Sequence, residues 1–133
     1  MIAFTLAIKT TNPNNGSQGW SRNAAFAKAR ARKAQRLEAW AMTLAHAGPA
    51  PTLPSTVALT RVAPSGGLDP HDGLGAALKG VIDGIADGLG LTNDRDPRVT
   101  WVLAQRRGKP REYAVDVQIE SRPVTSAIDR ILS

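Results

Sequence analysis

The tightest constraint on the fold lies between Asp72 and Leu89. Leu74, Leu78, Val81, Ile82, Ile85 and Leu89 recur at helical spacing and project to one side. Asp72, Lys79, Asp83 and Asp87 project to the opposite side, and Asp72 stands where an N-cap belongs. Gly73, Gly80, Gly84 and Gly88 form a third face. An interior glycine costs a helix about 0.5–1 kcal/mol against alanine. Several on one face imply close approach by another backbone. A strand of the same domain is the first expectation; a second subunit or a nucleic-acid strand are the alternatives.

The same region holds the acids of a basic protein. Asp69, Asp72, Asp83, Asp87, Asp94 and Asp96 are six of the 11 acidic residues, in a chain of net charge +6. The positive balance favours a polyanionic partner. Cysteine is absent, which excludes disulfides, thiolate metal sites and a cysteine nucleophile. Two histidines, His46 and His71, do not make a histidine-rich zinc site, and no serine stands in a credible hydrolase arrangement. No apolar run approaches the ~20 residues that span a bilayer. Met1 to Ile8 lacks the basic leader of a signal peptide, so a soluble intracellular protein is expected.

The 133 residues read as one domain. Ile2, Phe4, Leu6 and Ile8 alternate with small residues as a strand. Thr10 to Gly19 is turn chemistry, expected as a surface loop. Trp20 to Ala47 reads as one helix, with Ser21 as N-cap and Gly48-Pro49 as its stop. Arg22, Lys28, Arg30, Arg32, Lys33 and Arg36 precede its first acid, Glu38, so this helix is expected to meet phosphates. Leu37, Trp40, Met42 and Leu44 are expected to pack. Pro49 to Pro54 is a connector, and Val57 to Val62 a second strand. Asn93 to Arg98 reads as a polar loop. Val99, Trp101 and Leu103 mark a third strand, and Tyr113 to Ile119 a fourth. The short basic turn between them, Arg106, Arg107, Lys109 and Arg111, predicts an antiparallel hairpin with a basic tip. Val124 to Leu132 reads as a short terminal helix. The expected class is α/β (α+β): a small mixed four-stranded sheet with two main helices.

The run LDPHDGLGAALKGVIDGIADGLGLTND resembles the RusA family of Holliday-junction endonucleases of bacteriophages and prophages. Lys79, Asp83, Gly84 and the Asn93-Asp94 pair carry the likeness. The resemblance implies a small homodimeric α/β enzyme, working in the cytoplasm of a bacterial or phage-infected cell. It implies that four-way DNA junctions are cut symmetrically with Mg²⁺ (or Mn²⁺). Asp69, Asp72 and Asp94 would be the metal ligands, and Lys79 a further catalytic residue. The chain departs from the family pattern at Pro70-His71, at Gly73 and at Asn93.

The chemistry agrees with that implication. Mg²⁺ takes oxygen ligands and needs only one or two protein carboxylates. It would supply hydroxide for attack on a phosphodiester. Lys79 would stabilise charge on the phosphate, while Asp83 is either a further ligand or the residue that holds Lys79. Asp87 and Asp96 read as solvated acids. Arg30, Arg32, Lys33 and Arg36, with Arg106, Arg107 and Lys109, would grip DNA through its phosphates. Trp20 is expected to pack at the helix entry rather than to stack on a base. Gly73 and Asn93 leave open a noncatalytic branched-DNA-binding protein. An RNA-binding domain is a third reading, which leaves the clustered acids unexplained.

Overall fold

The computed structural model describes residues 1–10, 22–48, 53–64, 67–68 and 73–121. The elements run β1 (Ile2–Leu6), α1 (Arg22–Ala47), β2 (Ser55–Ala63), α2 (Gly73–Gly88), β3 (Val99–Arg107) and β4 (Ala114–Ser121). The Thr10 to Gly19 loop beyond Thr10, the Trp20-Ser21 helix entry, residues 49–52 of the connector, Asp69 to Asp72 and the terminal helix expected at Val124 to Leu132 lie outside the described residues. No helix among the described residues is long and apolar enough to cross a membrane.

One mixed sheet of four strands carries the two helices, as the sequence predicts. Its order is β1-β4-β2-β3. β2 runs parallel to β3 and antiparallel to β4, and β1 is antiparallel to β4. The hairpin expected from the short basic turn is therefore not formed, because β2 lies between β3 and β4. β2 has no exposed residue: every second position from Ser55 to Arg61 is buried and those between are half-buried, with Val57 and Leu59 inaccessible and Val62 and Ala63 nearly so. Such a strand takes a neighbour on each side. Its path through α2 to β3 is a crossover between parallel strands. The 108–113 connection instead steps across the end of β2, where the Gly108 N–H donates to the Ala63 carbonyl at 2.8 Å. Arg106, Arg107 and Lys109 lie at this crossing, not at a hairpin tip.

The core forms between the sheet and α2. Phe4, Leu6, Val57, Leu59, Val115, Val117 and Ile119 meet Leu74, Leu78, Val81, Ile82 and Ile85. The full apolar face of α2 predicted from its spacing is buried. Ala3, Thr5 and Ala7 of the first strand region are exposed, so the opposite face of β1 is uncovered.

The glycine face does not pack on a strand. It packs on α1. A Cβ at Gly84 would overlap the Arg36 carbonyl oxygen and come within 2.7 Å of the Ala39 Cβ. One at Gly88 would come within 2.6 Å of the Thr43 Cβ. The sheet already has the leucine and isoleucine face, so the small-residue face is left for the second helix. Ala39 and Thr43 are the fully buried residues of α1. Leu37 and Trp40, expected to pack, are 62% and 40% exposed, whereas Met42 and Leu44 are partly buried. The narrow contact strip through Ala39 and Thr43 leaves Leu37 and Trp40 on another side of the helix.

Candidate active site and basic groove

α2 and the loop after it bring two acids to one lysine. α2 ends in a turn that reverses the chain. Gly90 has φ +76°, a left-handed conformation that suits glycine. The Leu91 N–H returns to the Ala86 carbonyl at 2.9 Å, and Leu91 is buried. The chain then turns through Asn93, whose side-chain oxygen accepts from the Arg95 N–H, and Asp96, whose carboxylate accepts from the Arg98 N–H. These side-chain-to-backbone bonds close compact turns. Asp94 is thereby carried back alongside α2.

The Lys79 ammonium lies 3.1 Å from Asp83 Oδ1 and 3.0 Å from Asp94 Oδ2. Its hydrogen bond to Asp94, with Asp83 adding to it, raises the lysine pKa and keeps it cationic. The same bond lowers the Asp94 pKa, so Asp94 is a carboxylate at neutral pH. The helical pair was visible in the spacing of residues 79 and 83. The third member comes from a separate loop. Asp69 and Asp72, the other predicted ligands, lie outside the described residues. Among the described residues no three acid, histidine or cysteine groups converge as a metal site. Asp94 and Asp83 are hard oxygen donors, the donor type Mg²⁺ takes, and Asp94 is held ionised.

Beside this triad runs a groove of roughly 750 Å³ between α1 and α2. Lys28, Arg32, Lys33 and Arg36 line it, with Asp83 at its edge. Arg32, Lys33 and Arg36 were expected to meet phosphate; Lys28 joins them here. Arg30, also expected, is exposed but does not line the groove. Arg36 forms a two-bond pair with Asp87, at 2.7 and 3.0 Å. Asp87 is therefore an internal partner rather than a solvated acid. Asp96 likewise pairs with Arg98, at 2.8 Å.

The other predicted cations lie apart from this groove. Arg106 faces Asp116 at 3.4 Å and Glu112 at 3.7 Å. Arg107 donates to the Pro64 carbonyl at 3.2 Å. The Lys109 N–H donates to Glu112. Their side of the molecule is more evenly charged than α1.

Three residues that hold this region together escaped the sequence reading. Arg61, 6% exposed, donates to the Thr10 hydroxyl and carbonyl at 3.0 and 3.1 Å. The Trp101 indole N–H donates to the Asp94 carbonyl at 2.9 Å. Gln105 bonds both ways with the backbone of Leu68. Arg61 and Gln105 share one signal: a polar residue at the buried phase of a strand's alternation.

Comparison with models of known protein families finds no match, and neither does comparison with curated proteins.

Proposed function

We propose that this chain is a Mg²⁺-dependent, structure-specific endodeoxyribonuclease of the RusA type that resolves four-way DNA junctions. The observation that carries the reading is the Lys79–Asp83–Asp94 triad opening beside a basic groove. A stability device alone needs no such neighbour. An exposed helical Lys–Asp pair contributes only a few tenths of a kcal/mol.

In this reading Asp94, with Asp69 and Asp72, holds the metal, and Mn²⁺ is an acceptable substitute. A metal held there would supply positive charge for the scissile phosphate and a bound water activated for attack. Lys79, held protonated by its two acids, donates to a phosphate oxygen as negative charge builds there. Asp83 stays on Lys79 and aims it. Lys28, Arg32 and Lys33 take backbone phosphates and fix the strand's register without reading its sequence. Two matched cuts on opposed strands fit a homodimer with one site per protomer. Hydrolysis adds one water across one P–O bond of each cut strand.

A second reading is a noncatalytic branched-DNA-binding protein. It is favoured by the pairing of both Asp83 and Asp94 with Lys79 within the chain. One assay separates the two. Four-way junction, fork and linear duplex are incubated with and without Mg²⁺ or Mn²⁺ and resolved on a denaturing gel. Paired nicks in the junction, lost in Asp94→Asn and Asp72→Asn while binding is retained, support the nuclease. Tight junction binding with no nick in either metal supports the binding protein. Full cutting by both variants removes these acids from the site.

A further inference from the structure

One cation of the basic groove already holds an anion. Arg36 lines the groove with Lys28, Arg32 and Lys33. Its Nε donates to Asp87 Oδ2 at 2.7 Å and its Nη2 to Asp87 Oδ1 at 3.0 Å. Among the described residues neither Arg32 nor Lys33 is in an ion pair. The seam between the helices sets up the Arg36 pair. α1 and α2 come so close that a Cβ at Gly84 would overlap the Arg36 carbonyl oxygen. Asp87 stands three residues further along α2, a spacing that keeps it on the same side of the helix. Backbone packing therefore presents this carboxylate to Arg36.

We propose that Asp87 is an internal phosphate mimic, which withholds Arg36 from DNA and so loosens the groove's hold on any strand lying in it. The proposal rests on the reading above that the groove takes DNA phosphates. A guanidinium offers the same fork to a carboxylate and to a phosphate, two parallel N–H···O bonds. The two N–H groups that Asp87 takes are a fork of that kind. DNA gains Arg36 only by displacing a carboxylate already seated, so the contact adds little net affinity. Phosphate contacts act without regard to sequence. Each one strengthens binding to unbranched duplex, which offers competing sites in large excess. A protein that must reach a rare branch point is helped by giving one up. The pair has little to do for the fold. Its side chains are 51% and 35% exposed, and exposed ion pairs contribute little to stability.

The test compares Asp87→Asn, Arg36→Gln and the double variant, with Arg32→Gln as the control for the groove. Glu38→Gln is the control for net charge, since Glu38 is an exposed acid of α1 that does not line the groove. Fluorescence anisotropy gives the affinity for a labelled linear duplex and a labelled four-way junction, without divalent metal and over a range of salt. Asp87→Asn keeps the side chain's shape and removes its charge. It should tighten binding to both DNAs about tenfold, the gain of one bond to a charged group. The slope of log K against log salt should steepen by about 0.9. In the Arg36→Gln background Asp87→Asn should change neither quantity, and Glu38→Gln should have a much smaller effect. A gain that persists in the double variant, or that Glu38→Gln equals, overturns the proposal by reducing it to net charge. Weaker binding in Asp87→Asn overturns it too, because Asp87 would then aim Arg36 at DNA. Unchanged binding in Asp87→Asn, with a weaker grip and a shallower slope in Arg32→Gln, overturns the proposal and leaves the groove standing. Unchanged binding in both Asp87→Asn and Arg32→Gln removes the groove as a DNA site, and the mimic with it.

Discussion

Gly84→Ala tests the seam on which the basic groove depends. In an open helix the change stabilises by up to about 1 kcal/mol, because alanine is the better helix former. At Gly84 the added methyl meets α1. The Ala39 Cβ would lie 2.7 Å away, and the Arg36 carbonyl oxygen nearer still. Ordinary contact begins at 3.4 Å, so the helices must part by at least about 0.7 Å. A gap of that size forfeits roughly a quarter to a half of each dispersion contact across the seam. Ala39 and Thr43 are the buried anchors of α1, so few other contacts compensate. Overpacking of this kind costs about 1–3 kcal/mol. With the helix-propensity gain set against it, the expected net loss is about 1 kcal/mol. For a domain of this size that lowers Tm by roughly 3–5 °C. Gly75→Ala is the matched control, since its Cβ would meet nothing within 4 Å. It should be neutral or slightly stabilising. Urea unfolding followed by far-ultraviolet circular dichroism gives both values. A Gly84→Ala protein as stable as wild type would refute the close packing of α1 on α2.

The groove makes a prediction about salt. Replacing Arg32 and Lys33 together should lower the slope of log K against log salt for junction binding by about 0.9 per lost phosphate contact. Because Arg36 is tied to Asp87, Arg36→Gln should change that slope less than Arg32→Gln does; equal changes would show that the Asp87 pair opens on binding. The bonds from Arg98 hold the Asp96 carboxyl at about 2, below its ordinary 3.8. A depressed acid stabilises the fold fully above the unfolded pKa and loses that contribution as pH falls through the folded one. The Asp96–Arg98 contribution should therefore persist at pH 5 and fade between about 3.8 and about 2. Carboxyl-carbon NMR should show the Asp96 midpoint moving back toward 3.8 in Arg98→Ala, and an unmoved midpoint would dismiss the pair as its cause.

What the chain makes legible by itself is set by the range of the interaction. Periodicity is local, so the burial of Leu74, Leu78, Val81, Ile82 and Ile85, and the pairing of Lys79 with Asp83, follow from spacing alone. Strand alternation is local too, and it separates Val115, Val117 and Ile119 from the residues between them. It says which side faces the core and nothing about which strand lies alongside. The short turn after Arg107 therefore reads as a hairpin, although β2 occupies the place between β3 and β4. The glycine face shows the same division. Its spacing demands a close neighbour but does not name one. The neighbour is chosen by shape: with the large apolar face taken by the sheet, α1 presents small residues one turn apart, Ala39 and Thr43, to meet Gly84 and Gly88. Asp94 reaches Lys79 from 15 residues away, a separation no helical or strand period encodes. Two weak marks pointed beyond the local pattern: Gln105 and Arg61, each polar at the buried phase of a strand. A buried polar side chain must find a partner. In both cases the partner is the backbone of a segment outside the sheet, Leu68 for Gln105 and Thr10 for Arg61. A polar residue out of phase in a strand thus marks where the sheet reaches out to hold a loop, and one of these two loops leads into Asp69.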